Sequence, residues 1–243
     1  METLPNTFSP KMKMADLMNY DYHLLFVLSR FDIPLGFGEK TIEEVCIKHH
    51  VDPHNFLIMV DLFLHPERRG EDKEEKIKYI APLLQYLQNS HFYFLEHRLP
   101  SIRQALKQAM DAYKDPTLSN MFLHFFDEYA NEVRDHMDYE DRVVFPYVRN
   151  LMNGEKSQDY TIHLFELRHN DIEEKLADLK NLIIKYIPPY KDSFQTNNIL
   201  LDICSCEEDL HTHSFLEDEI FIPAIRSVEK QQSQIKGGEK DEK

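Results

Sequence analysis

The stretch His136-Met137-Asp138-Tyr139-Glu140-Asp141-Arg142-Val143-Val144-Phe145-Pro146 decides the reading, because its pattern returns as His213-Ser214-Phe215-Leu216-Glu217, with Ile222-Pro223 beyond it. The pairs His136/His213, Glu140/Glu217 and Pro146/Pro223 are each separated by 77 residues. On a helix, residues four apart lie one turn apart on one face, so each His-x-x-x-Glu sends an imidazole and a carboxylate toward one point. A single buried histidine is most often a packed core residue. A twofold constellation of histidine with glutamate is a metal-ligand pattern.

Working outward, four long amphipathic segments flank these motifs, at about residues 78–113, 117–152, 158–186 and 193–229, each about 45 Å long at a rise of about 1.5 Å per residue. They are punctuated by Asp115-Pro116, Asn153-Gly154 and Pro188-Pro189, residue types that end helices. Short connections make neighbouring helices antiparallel. The expected fold is all-α, an up-down-up-down four-helix bundle over residues 77–230. A small helical N-terminal domain spans residues 1–72, and residues 231–243 form a polar, disordered tail. In the N-terminal part, Thr41-Ile42-Glu43-Glu44 and Asp52-Pro53 are helix starts. The charged run from Pro66 to Lys76 is a linker or a first exposed turn.

The first and third helices supply histidines at nearly the same spacing, His91 and His169. Antiparallel hairpins with arms of similar length bring each to the level of its partner motif. His91 shares a stripe with Leu84, Leu87, Phe94, Leu95 and Ile102, and His169 shares one with Ile162, Phe165, Ile172, Leu176 and Ile183, so both point inward. His97 is the rival first-helix ligand, but it lies on a stripe with Ser90, Tyr93, Ser101 and Gln104 and breaks the repeat. His163 and His211 also fall off the inner stripes. The expected metal ligands are therefore His91, His136, Glu140, His169, His213 and Glu217.

Buried carboxylates and imidazoles are costly without a compensating cation. Imidazole with carboxylate suits iron, manganese or zinc rather than copper(I). Four histidines as terminal ligands and two glutamates as bridges fit a dinuclear site with open positions for dioxygen, nitric oxide or peroxide. Around it, Glu166 shares the face of His169, Cys206 lies two turns before His213, and Tyr129 is the repeat equivalent of Cys206. Each is a candidate neighbour of the centre, and core packing or a bundle edge accounts for each as well. Pro146 and Pro223, inside expected helices, should kink or end them.

The composition narrows the partners. A net charge of −15 repels nucleic acid and anionic membranes. No apolar run approaches the roughly 20 residues of a membrane span, and the first residues lack the apolar stretch of a secretion signal. Three cysteines, Cys46, Cys204 and Cys206, do not form a disulfide framework. The cytoplasm is the expected location.

At these motifs the sequence resembles the hemerythrin-like HHE domains, and within them the di-iron proteins for the repair of iron centres, of the RIC, YtfE or ScdA type. His136-x-x-x-Glu140-x-x-x-x-Phe145-Pro146 matches the second-helix motif. His213, Glu217 and Pro223 match the fourth, Glu166-Leu167-Arg168-His169-Asn170-Asp171 the third, and His91 with Leu99-Pro100 the first, with one extra residue between. The N-terminal region is similar to the small helical domain of these proteins through Leu28-Ser29-Arg30-Phe31-Asp32-Ile33 and Gly38-Glu39-Lys40-Thr41-Ile42-Glu43-Glu44. Gly36-Phe37 stands where that family commonly has a Cys-Cys pair. The resemblance implies two non-haem iron ions, oxo- or carboxylate-bridged. It also implies a stress-response role in repairing iron-sulfur clusters after nitrosative or oxidative damage, by binding nitric oxide or donating iron, with damaged iron-sulfur proteins as partners. The alternative is an oxygen or nitric oxide sensor or carrier without catalysis; the set has one histidine fewer than oxygen-carrying hemerythrins use. A metal-free structural bundle is the third reading.

Overall fold

The computed structural model describes residues 8–65, 77–155, 159–167, 174–187 and 194–238. Every regular element among them is helical: α1 Met14–Tyr20, α2 Leu24–Arg30, α3 Ile42–Lys48, α4 Pro53–Leu64, α5 Ile80–Tyr93, α6 Leu99–Asp111, α7 Pro116–Tyr139, α8 Phe145–Met152, α9 Ile162–Glu166, α10 Glu174–Tyr186, α11 Phe194–Leu216 and α12 Ile222–Gly238. Three five-residue π turns, Phe94–Arg98, Glu140–Val144 and Glu217–Phe221, join α5 to α6, α7 to α8 and α11 to α12 without a break. The fold is an all-α helical bundle. Among the described residues no helix is long and apolar enough to cross a membrane. The charged run 66–76 and Pro188-Pro189 lie outside the described residues.

The chain divides into two compact units, Met1–Ser90 with Leu216–Lys243, and His91–Phe215. In the first unit, Thr41 caps α3 in a full capping box with Glu44, and Asp52 accepts from the backbone N–H groups of His54 and Asn55 at the start of α4. The Phe31 ring meets Phe56 edge-on at 5.7 Å. The almost fully buried Arg30 donates from Nε to Ser90 Oγ at 3.1 Å, while Asn89 donates to the Arg30 carbonyl at 2.6 Å, and these bonds tie α2 to α5. In the loop between α2 and α3, Gly36 has φ +99°. A cysteine at that position would be strained, so this backbone suits glycine and not the Cys-Cys pair of the resembling domains. At the other end of the chain α12 runs to Gly238, so residues 231–238, expected within a disordered tail, continue the helix.

In the second unit the apolar stripes mesh. Ile102, Leu106 and Met110 of α6 share one core with Phe122, Phe126 and Val133 of α7, Leu176 and Leu179 of α10, and Ile199 and Ile203 of α11. Pairs between the first two arms step in opposite directions: Asp111 with Ser119, Arg103 with Asp127, Glu96 with Arg134, His91 with Glu140. These contacts define an antiparallel hairpin whose turn is closed by Asp115, which caps α7 ahead of Pro116 at its first position. Gly154, at φ +82°, ends α8 where Asn153-Gly154 was expected to end a helix.

Pro146 and Pro223, expected to kink or end their helices, do not end them. Phe145 donates its backbone N–H to the Glu140 carbonyl, Ile222 to that of Glu217 and Leu99 to that of Phe94, each five residues back. The next residue in each case is proline. The wider turn takes up the space its ring needs and asks for no N–H from it, so the helices continue.

Candidate metal centre

The repeated motifs meet the π turns at one level of the sequence pattern. Glu140 opens one π turn and Glu217 opens another, while His91 lies three residues before the remaining one. His91, Glu140, His213 and Glu217 are 1%, 0%, 2% and 1% exposed. One ligand atom from each lies within 4.8 Å of the others, and this set is able to hold a metal ion. Glu217 is one turn beyond His213 on an unbroken helix, so the local backbone alone aims both the same way.

The finest geometry surrounds Glu140. Its Oε2 lies 2.9 Å from His91 Nε2 and its Oε1 lies 2.9 Å from His136 Nε2. Neither contact has hydrogen-bond geometry, although the carboxylate is sealed from solvent. Donor atoms that crowd to 2.9 Å without a proton on the line between them are arranged as ligands converging on a cation. A metal ion would add positive charge where buried carboxylate and imidazole groups converge. The donor set of imidazole nitrogen and carboxylate oxygen fits iron, manganese or zinc.

Aromatic packing fixes the rings. Phe145 stacks on His91 with centroids 5.2 Å apart and planes 19° apart, and Phe94 meets His213 edge-on at 5.9 Å. The His91 and His213 rings are themselves 5.2 Å apart. On its other nitrogen His91 faces a second carboxylate, with Nδ1 3.1 Å from Asp141 Oδ1. Asp141 was not among the residues singled out from the sequence. The visible signal was the acidic doublet Glu140-Asp141 recurring as Glu217-Asp218.

His136 stands against one side of Glu140 with its side chain 10% exposed. His169 lies outside the described residues. His97, the rival of His91, is exposed and sits beside Phe92 with ring centroids 5.3 Å apart. His211 is exposed. Glu166, expected to share a face with His169, has its Oε2 3.1 Å from Nδ1 of the exposed His163. Tyr129 and Cys206 are enclosed in the apolar core of the second unit, where Tyr129 meets the Phe126 ring at 6.1 Å.

The comparison with protein families agrees with this site. The model of the hemerythrin HHE cation binding domain matches residues 95–225, and the chain belongs to that family. The match begins just beyond His91 and takes in both His-x-x-x-Glu motifs. No curated protein matches the chain.

Proposed function

We propose that this is a non-haem di-iron protein that repairs iron-sulfur clusters damaged by nitrosative or oxidative stress, by binding nitric oxide or by donating iron. The observation that carries the di-iron part is the sealed Glu140 carboxylate, with an imidazole nitrogen 2.9 Å from each oxygen and hydrogen-bond geometry to neither. A carboxylate engaged on both oxygens is suited to bridge two ions. In this reading His91, His136, His169 and His213 would hold the irons as terminal ligands, and Glu140 and Glu217 would supply the carboxylates shared between them. The repair role is supported by the resemblance of the four helix motifs to the iron-centre repair proteins.

When bound, iron supplies redox activity and Lewis acidity at positions that four imidazoles and two carboxylates leave open. The chain contributes the rest. Phe94 and Phe145 pack the His213 and His91 rings and keep water from them. Glu140 and Glu217 provide the negative charge that retains cations, and Asp141, with its side chain 38% exposed, brings a carboxylate from the solvent side to His91. Should iron be donated, it leaves as cargo by exchange with an acceptor's ligands. We place this activity in the cytoplasm, where the free cysteines Cys46, Cys204 and Cys206 stay reduced.

The test begins with iron content and Mössbauer spectra of iron-supplemented wild type and His213→Ala, followed by incubation with a [4Fe–4S] protein damaged by nitric oxide. The expected result is two coupled irons per chain, absent in the variant, and recovery of the client cluster with wild type alone. Reversible gas binding without recovery would turn the conclusion to a sensor or carrier. Full folding with no iron bound would leave a structural bundle.

A further inference from the structure

Packing alone leaves the His91 ring undecided. Phe145 fixes its plane by stacking, but an imidazole turned by 180° about its bond to Cβ fills almost the same space, and stacking does not say which nitrogen bears the proton. A hydrogen-bond acceptor at Nδ1 settles both questions, and Asp141 Oδ1 stands there at 3.1 Å. The opposite nitrogen, Nε2, faces Glu140 Oε2 at 2.9 Å without hydrogen-bond geometry. Two consecutive residues thus address the two nitrogens of one ring. In an α-helix neighbouring side chains diverge by about 100°. Here Glu140 and Asp141 are the first two residues of a π turn, and His91 reaches them from the other arm of the hairpin.

We infer that Asp141 is a positioning residue that holds His91 with its proton on Nδ1 and its bare Nε2 toward the metal centre. The inference rests on the di-iron reading of the site for its consequence, though not for the pairing itself. A carboxylate behind a ligand imidazole fixes ring and tautomer and makes the ligating nitrogen more basic. The acidic doublet itself recurs as Glu217-Asp218 at the opening of another π turn.

The experiment uses the full chain in two measurements. In the metal-free, ¹⁵N-labelled protein at mildly alkaline pH, long-range ¹H–¹⁵N spectra report the His91 tautomer. Transfer of Fe(II) to a competing chelator reports affinity. Wild type should show the Nδ1–H form. Asp141→Leu should lose that preference and bind Fe(II) about 10- to 100-fold more weakly. Asp141→Asn, which keeps an acceptor oxygen without the charge, should retain the tautomer and lose less affinity. It also carries the test if the leucine variant does not fold. Asp138→Asn, which breaks only the contact with Arg142 seen at 3.1 Å, should match wild type in both. An unchanged tautomer in Asp141→Leu, or Fe(II) affinity within about twofold of wild type in both Asp141 variants, would overturn the inference. A wild type that binds no Fe(II) would sink the di-iron reading instead, and the spectra would still decide whether Asp141 sets the ring.

Discussion

Nε2 of His91 and Oε2 of Glu140 stand 2.9 Å apart across an antiparallel hairpin, and both side chains are shut away from solvent. A pair this enclosed is expensive to assemble, and its cost is offset when a cation lies between the partners.

Glu140→Ala should therefore lower metal content and metal-dependent stability together. Iron at 100 to 1,000 times its Kd stabilises the wild type by about 3 to 4 kcal/mol. The variant should show no rise in Tm when iron is added. Calorimetry with and without iron checks this, and a wild-type response in the variant would remove Glu140 from the site.

The π turn Glu140–Val144 should matter as much as the ligands it carries. Deleting Val143 shortens it toward an α turn and rotates everything after it by about 100° relative to Glu140. Phe145 then leaves its stack on His91. Iron content and Tm should both fall, whereas Val143→Ala, which keeps the residue count, should bind iron as the wild type does.

Thiol reactivity should follow burial. Desolvation pushes the Cys46 thiol up to about 12, and Cys206 is 0% exposed, while Cys204 is open to solvent. Iodoacetamide applied to the native protein near neutral pH should label Cys204 and spare the others, as read by peptide mass spectrometry. In the folded state Cys46 favours its neutral form. Its contribution to stability is complete below the ordinary value of 9.0 and is lost as pH rises from there through about 12.

On the surface of the second unit, Arg103 grips Asp127 with two bonds, Nε to Oδ1 at 2.6 Å and Nη2 to Oδ2 at 2.8 Å. The guanidinium holds the Asp127 carboxyl below its ordinary 3.8. Both groups are substantially exposed, so Arg103→Ala should cost less than about 1 kcal/mol near neutral pH. A lowered folded-state value stabilises above the unfolded one. The difference between variant and wild type should thus persist down to pH 3.8 and vanish as pH falls through the lower folded value. Denaturant melts across that range, repeated at high salt, check the sign and the screening.

The helices and their ends were legible where local chemistry decides them. Thr41 with Glu44, Asp52 with Pro53 and Asp115 with Pro116 are side chains that satisfy backbone N–H groups within three residues, so no distant contact is needed to place them. The four residues between His213 and Glu217 likewise aim both at one face through helical geometry alone. By contrast, Pro146 and Pro223 read as interruptions, because a 3.6-residue period has no room for a proline ring against the preceding turn.

Asp141 was passed over for the same reason. On a helix the residue after an inward-facing glutamate reads as pointing elsewhere, and the contact of Asp141 with His91 is made across the hairpin, 50 residues away in the chain. By itself, then, the sequence determined the helical class, the helix caps and the paired His-x-x-x-Glu faces, since these depend on contacts within a turn or two of chain. Only the tertiary structure decided the pairing of His91 with Glu140, the stack of Phe145 on His91 and the clamp by Asp141. Those depend on how far one arm of the hairpin slides along the other, and the packing of whole apolar stripes sets that register.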